Sequence, residues 1–589
     1  MSSLSSPEAG LPPHVLASAA AHAAVARRRK RMGDLHLAAL AVVVLGPLVV
    51  YPLVRLVLLS VSGDHGLSFA AYRTFFGNPD TRNVLLTTLG VLFASAGTAS
   101  VLGVLLAALL FFKPFPGASL VTRFLELYVA FPSFLVAFTL IFLYGSQGSI
   151  SIALQHLFHL ENPPLDFLFG IGGVILAQTV FYTPFVVRPT LASFATLDLR
   201  LIEAARSLGA PGWMLARRVV LPIAWPGIAA GTVLCFLLTL NEFGILLVLG
   251  SARLVTLPVA IYSSATVDLD LPTASAGAVV MLALSLALYT VYRRVNRRAM
   301  GGAMSAEFRI GQAVPRHGIG WSDALLKHAS RAALALAAFA CFWLFALPVI
   351  VVALSSVSTQ WSGTILPAGY SLRWFERLGS PEYDALLTSL EIGFGVSAIG
   401  TIVGLWLALA LEGRDRRGLG AVVDALVMVP NGVPSVVLGL AVLIAYHQKP
   451  VDLSSSAAIV VLVQLALILP FCYRCAAAAL RPELTVLREA AASLGAPPAM
   501  VLRRVLLPQL VPALRASLAL GFALSLGELG ATLTVYPPGF ATVPIVVIGQ
   551  VERGYYLPAS ALSLLMLGAS LAALLLIAAR VPRGTRAAS

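Results

Sequence analysis

Twelve stretches of this 589-residue chain are each apolar for long enough to cross a bilayer, and this limits its fold more than any other feature. A lipid core offers no partner to backbone N–H and C=O groups, so only helices and closed barrels can span it. A spanning helix needs about 20 mostly apolar residues. The stretches lie near 35–61, 84–112, 122–144, 168–190, 226–250 and 274–292, then near 331–355, 384–412, 421–446, 456–480, 512–535 and 558–579. Only 11% of residues are charged, against about 25% in soluble domains. A soluble fold this apolar would expose patches it could not hide from water. The expected class is an all-α polytopic membrane protein.

The net charge of +14 raises nucleic acid as a partner. The basic residues, however, sit in short clusters between apolar runs, as in the loops that orient membrane proteins. Membrane lipid is the expected surroundings and nucleic acid is not an expected partner. The clusters at Arg27–Arg31, Lys113 and Arg123, 188–218, Arg293–Arg298, Arg414–Arg417, Arg474–Arg504 and Arg580–Arg586 all fall on one side of a twelve-span topology. Loops on the other side carry few cations. By the positive-inside bias, both termini are cytoplasmic.

The chain repeats itself. Residues 203–226 read EAARSLGAPGWMLARRVVLPIAWP and residues 489–512 read EAAASLGAPPAMVLRRVLLPQLVP. The offset of 286 also aligns Gln178 with Gln464 and Glu242 with Glu528. Upstream it becomes 301, aligning NVLLTTL (83–89) with DALLTSL (384–390), so the first half carries about 15 extra residues, assigned to the outer loop 145–167. The copies share one orientation, which makes this a parallel repeat. The chain divides into a cytoplasmic tail (1–34), a first half (35–292), a cytoplasmic linker (293–330) and a second half (331–589), giving about 12 transmembrane helices in two halves of six.

In each repeat the segment has local physical content. Asp198 can cap a helix. Leu201, Ala204, Ala205 and Leu208 share one face of it, and Gly209 with Pro211 ends it. A second helical stretch, 212–220, carries Arg217 and Arg218, and Pro222 and Pro226 are expected to break it before the next span. The product is a short helix–turn–helix on the cytoplasmic side, with small residues on one face.

The order E-A-A, three residues, G and a distal L-P resembles the EAA loop of permeases from binding-protein-dependent ABC importers. The resemblance implies the type I ABC importer permease fold. It also implies a coupling helix seated in a cleft of an ATPase subunit, and assigns that role to Glu203, Ala204, Ala205 and Gly209, and to Glu489, Ala490, Ala491 and Gly495. No G-x-x-x-x-G-K-[ST] occurs, so no phosphate-cradling loop of that type is present. The chain is read as a transport subunit rather than an enzyme, with no catalytic residue and no cofactor of its own. ATP would be bound by two copies of a cytoplasmic ABC ATPase, and solute would arrive on a periplasmic binding protein, at a bacterial inner membrane. LNEFGILLVLG (240–250) and SLGELGATLTVYPPGFATVPI (525–545) are similar to the aminoalkylphosphonate subgroup, which implies 2-aminoethylphosphonate. Tandem permeases for ferric iron and thiamine share the size and part of the pattern.

Glu242 and Glu528 are read as intramembrane acids about 15 residues, roughly 22 Å, beyond the cytoplasmic boundary. Such acids are costly and are candidates for function. With Asn241 they either line or gate the outer half of the substrate path, or are bonded to a neighbouring helix. Pro132 and Pro434, each in a P-S dipeptide, are expected to kink their spans. Cys472 and Cys475 lack the partners of a zinc set, and His156, His159 and Glu161 read as a solvated loop, so no metal site is expected. The alternative class is an ion-coupled 12-helix secondary transporter, which shares the 6+6 parallel repeat but has no need of paired E-A-A loops.

Overall fold

The computed structural model describes residues 35, 37–63, 66–112, 118–128, 131–250, 254–303, 339, 345–412, 418–449 and 451–579. The clusters at Arg27–Arg31, Arg414–Arg417 and Arg580–Arg586, together with Lys113, lie outside them. Ten helices are long and apolar enough to cross a membrane, and an eleventh forms if the bent pair Leu419–Gly432 and Ser435–Tyr446 counts as one span. Of the predicted stretch 331–355, the short apolar helix Leu347–Ser356 is described.

In the first half, a π-helical segment Ala41–Val50 runs into the helix Tyr51–Ser60. A two-residue hairpin and the helix Ala70–Gly77 lead to the long helix Pro79–Phe112. Then come Ala118–Tyr128, Ser133–Tyr144, Ser149–Phe158 and Ile171–Ala195. After the repeated loop follow Leu221–Leu240, Gly244–Leu249, Leu257–Thr266 and Leu271–Ala303. The last of these reaches into the segment read as linker. The second half repeats this order with Ser380–Leu411, Leu419–Met428, Ser435–Tyr446, Ala458–Ala479, Leu507–Leu526, Gly530–Val535, Val543–Glu552 and Tyr556–Ala579.

The repeat holds to the level of single contacts. Thr88 Oγ1 accepts the Leu257 N–H at 2.8 Å, and Ser389 Oγ accepts the Val543 N–H at 2.8 Å. A Cβ on Gly103 would stand 2.7 Å from the Val186 side chain, and one on Gly404 would stand 2.7 Å from the Tyr473 amide. Glycine at these two equivalent positions lets the long helix of each half approach its neighbour closely, as small residues do between membrane helices.

The helices Ser133–Tyr144 and Ser435–Tyr446 are deeply buried, and each is covered by the first span of the opposite half. The first span packs on Ser435–Tyr446, with the Tyr446 hydroxyl donating to the Pro47 carbonyl at 2.9 Å and Tyr51 edge-on to Tyr446. Reciprocally, Leu347–Ser356 packs on Ser133–Tyr144. Valine, leucine, isoleucine and phenylalanine on the outward faces, such as Val43, Phe93, Leu105, Phe394 and Ile402, stay exposed on the protein surface. Hydrocarbon makes that exposure costless.

Three expectations about helix continuity are corrected. Pro222 and Pro226 do not break the chain: Gly212–Leu240 runs as one span. A π turn over Ala216–Val220, in which the Leu221 N–H donates to the Ala216 carbonyl, widens the helix just before Pro222. The second half does the same over Leu502–Leu506. The predicted span 226–250 instead ends at Leu240, and the chain turns at Asn241–Phe243 before the short helix Gly244–Leu249. The predicted spans 122–144 and 421–446 are each broken rather than kinked, the second by 111°. In each the following helix restarts after Pro132 or Pro434, both in extended conformation, because proline pushes the preceding residue out of the helical region.

Candidate functional site

The two E-A-A loops have the same backbone. Asp198 accepts the Arg200 N–H at 2.9 Å and starts the helix Leu199–Ser207. At its end the Gly209 N–H donates to Arg206 O and the Ala210 N–H to Ala205 O, with Gly209 at φ +77°. In the second loop the helix Pro482–Ser493 ends with Gly495 N–H on Ala492 O and Ala496 N–H on Ala491 O, with Gly495 at φ +81°. Both are Schellman caps. The spacing from the second alanine of E-A-A to the glycine is the spacing from the accepting carbonyl to the left-handed residue.

The face of Leu201, Ala204 and Leu208 points outward, and Ile202 is the residue that turns in. Leu208 and Leu494 are each 88% exposed at equivalent positions on the loop tips. Glu203, Ala204, Glu489 and Ala490 are exposed beside them, and Ala205 and Ala491 are half-buried. A loop tip that presents leucine and small residues in this way has the shape of a contact surface.

The second candidate region is a junction of four helix breaks. In the first half, Glu242 is buried and its Oε1 accepts the Ile245 N–H and the Ser133 hydroxyl, each at 2.9 Å. Its Oε2 accepts the Tyr182 hydroxyl. In the second half, Glu528 Oε1 accepts the Ala531 N–H at 2.7 Å, and Oε2 accepts the Thr532 N–H at 2.9 Å and the Thr532 hydroxyl. Each carboxylate therefore caps the short helix that follows it, supplying acceptors to amides that have no partner within the helix. The reading of both acids as lying inside continuous spans is corrected accordingly: they stand where the helix stops. Asn241 accepts the Ser285 hydroxyl at 3.1 Å.

The breaks of the two halves meet. A Cβ on Gly244 would stand 3.4 Å from Leu529, one on Gly530 would stand 3.5 Å from Phe243, and one on Gly527 would stand 3.5 Å from the Pro132 ring. The P-S dipeptide that interrupts the third span thus abuts the acid-bearing turn of the opposite half.

The halves differ in their buried amides. Gln464 donates to Thr532 Oγ1 at 2.9 Å and accepts the Ser525 hydroxyl. Gln178, its counterpart, is fully buried with neither end of its amide bonded to protein. Thr239 and Leu246 stand where Ser525 and Thr532 stand in the second half.

Two pseudo-equivalent halves of membrane-length helices, a central junction of broken helices and paired loop caps are the architecture expected of a transport permease. The binding-protein-dependent transport system inner membrane component pattern matches the chain twice, over residues 99–301 and 400–585. The chain belongs to that family. It is 37% identical over 260 residues to a Salmonella paratyphi A protein named as the 2-aminoethylphosphonate transport system permease PhnU, covering 44% of this chain and 90% of the relative. It is also 37% identical over 231 residues to a Salmonella typhimurium protein named as the permease PhnV of the same kind of system, covering 38% of this chain and 85% of the relative. It is therefore a tandem permease of the ABC importer type and a multi-pass inner-membrane protein.

Sequence reasoning singled out the E-A-A loops and both acids but missed Tyr182, Ser133 and Thr532 as partners of the acids. Tyr182 and Ser133 lie 60 and 109 residues from Glu242, so nothing local announces them. Thr532 alone had a signal, four residues after its acid on the same short helix.

Proposed function

We propose that this chain is the complete pore of an ATP-driven importer and that its solute is 2-aminoethylphosphonate. The names of the relatives support that solute, and so does the sequence around Glu242 and Glu528. A ferric iron or thiamine solute is the second reading, on the shared tandem architecture. Two copies of one cytoplasmic ATPase would dock on the loops bearing Glu203, Ala204, Ala205 and Gly209, and Glu489, Ala490, Ala491 and Gly495. A periplasmic binding protein would deliver solute to the opposite face, with both termini in the cytoplasm. Asn241, Glu242 and Glu528 would stand at the path between them.

The observation that carries this reading is the matched pair of Schellman-capped loops with a leucine exposed on each tip. Two copies of one surface fit two copies of one partner. Native mass measurement of the detergent-purified complex should give one permease chain with two ATPases; two permease chains per complex would overturn it. For the solute, proteoliposomes carrying the complex and its binding protein should take up 2-aminoethylphosphonate in an ATP-dependent way. Uptake of ferric iron or thiamine instead would replace that assignment.

A further inference from the structure

The two coupling helices are tied to the membrane helices by different chemistry. In the second half, Arg488 Nη1 donates to Glu412 Oε2 at 2.6 Å and Thr485 Oγ1 donates to Glu412 Oε1 at 3.1 Å. Glu412 is the C-cap of the long helix Ser380–Leu411 and is 11% exposed, and Arg488 is 40% exposed. Thr485 and Arg488 lie three apart, on one face of the helix Pro482–Ser493. Both oxygens of one carboxylate thus hold the turn that precedes Glu489. Leu484, packed with Leu506 and Leu510, holds only the start of that helix.

In the first half the same positions are apolar. Ile202 stands at the place of Arg488 and is 3% exposed. Phe111 stands at the place of Glu412, with its ring 5.6 Å from that of Phe194. A greasy contact keeps its strength when charge or salt changes; a half-exposed ion pair does not.

We infer that Glu412 is a positioning residue: through Arg488 and Thr485 it makes the second coupling helix and the helix Ser380–Leu411 move as one piece. The second half therefore transmits ATPase motion through a charge link at positions that are apolar in the first half. This rests on the reading of these loops as ATPase docking sites.

The test uses nitroxide labels on Val486→Cys and Ile402→Cys, both exposed positions, one on each helix. Cys235, Cys341, Cys472 and Cys475 are replaced beforehand. The distance between labels is compared with and without ATP–vanadate in the assembled complex. With Glu412 present it should change by less than roughly 1 Å. In Glu412→Gln it should shift by roughly 2 Å or broaden, on the scale of helix shifts in switching proteins. The exchange Glu412→Arg with Arg488→Glu should restore the narrow, constant distance. Uptake per ATP hydrolysed should fall about threefold in Glu412→Gln and recover in the exchange.

An equal nucleotide-dependent shift in wild type and Glu412→Gln would overturn the inference. So would a loss of membrane protein in Glu412→Gln, Arg488→Gln and the exchange alike, which would make the link a folding contact only. ATPase co-purification is read separately: if the unmutated permease fails to hold the ATPase, the docking assignment falls instead.

Discussion

Trp361 Nε1 donates to Ser149 Oγ at 3.0 Å, and both side chains are buried. Beside it the Gly363 N–H donates to the Gln147 carbonyl at 3.1 Å, and the Trp361 ring packs 5.4 Å from Phe142. Ser149 opens the helix that occupies the extra outer loop of the first half, and Trp361 belongs to the second half. The segment that breaks the repeat is thus pinned to the other half, at the end of the helix Ile171–Ala195 opposite the E-A-A loop. Trp361→Phe should cost about 1 kcal/mol by stranding the serine hydroxyl, and Trp361→Ala about 3–5 kcal/mol. Thermal unfolding in detergent would show the graded loss; equal midpoints for all three proteins would refute the pin.

The Schellman glycines predict an ordered substitution series. A Cβ on Gly209 or Gly495 would meet nothing within 4 Å, so the obstacle is the positive φ alone. Asn tolerates that conformation, Ala costs about 1 kcal/mol, and a β-branched residue costs more. ATPase co-purification and uptake should fall in the order Gly, Asn, Ala, Val at either position. A Val variant that behaves like Asn would show that the loop does not need this cap.

At the central junction, Glu→Gln acts differently in the two halves. Both oxygens of Glu528 receive a backbone N–H, so a glutamine NH2 there must face an N–H, whereas in Glu242→Gln the NH2 can take the place of Oε2 and donate to the Tyr182 hydroxyl. Glu528→Gln should lower the midpoint of unfolding by an amount set by about 1–3 kcal/mol, and Glu242→Gln should lower it less. Uptake normalised to folded protein then decides the path. Normalised rates equal to wild type in both glutamine variants would remove the acids from it.

The unequal amides give a prediction of opposite signs. Gln464→Leu should destabilise, since it leaves Ser525 and Thr532 without their partner. Gln178→Leu should be neutral or stabilising, because it removes a buried amide that is bonded to nothing in the protein. Leu246→Thr would place a hydroxyl where Thr532 serves Gln464. Melting curves that move the same way for Gln178→Leu and Gln464→Leu would contradict this.

Hydropathy made the spans legible, and the 286-residue offset made the pairing of loops legible. Breaks within spans were harder to see, because mean hydropathy is blind to whether backbone amides are satisfied. Thus Asn241–Phe243 reads as part of one apolar run, although the chain turns there and Glu242 takes up the amide of Ile245. Proline misled in both directions. Pro222 is absorbed by a π turn, whereas Pro132 and Pro434 end their helices outright. The face of Leu201, Ala204 and Leu208 was found by periodicity, but periodicity cannot say whether an apolar face turns inward or outward.

The reciprocal cover between halves has a consequence for biosynthesis. When the ribosome has finished the first half, its helix Ser133–Tyr144 still lacks the cover of Leu347–Ser356, and its first span lacks Ser435–Tyr446. Neither half can complete its packing while it is the only one in the membrane. The nascent first half must wait, held in the bilayer by its spans alone, until translation delivers the helices that close it. Joining both halves in one polypeptide shortens that wait to the time of elongation and guarantees that the partner which arrives is the right one.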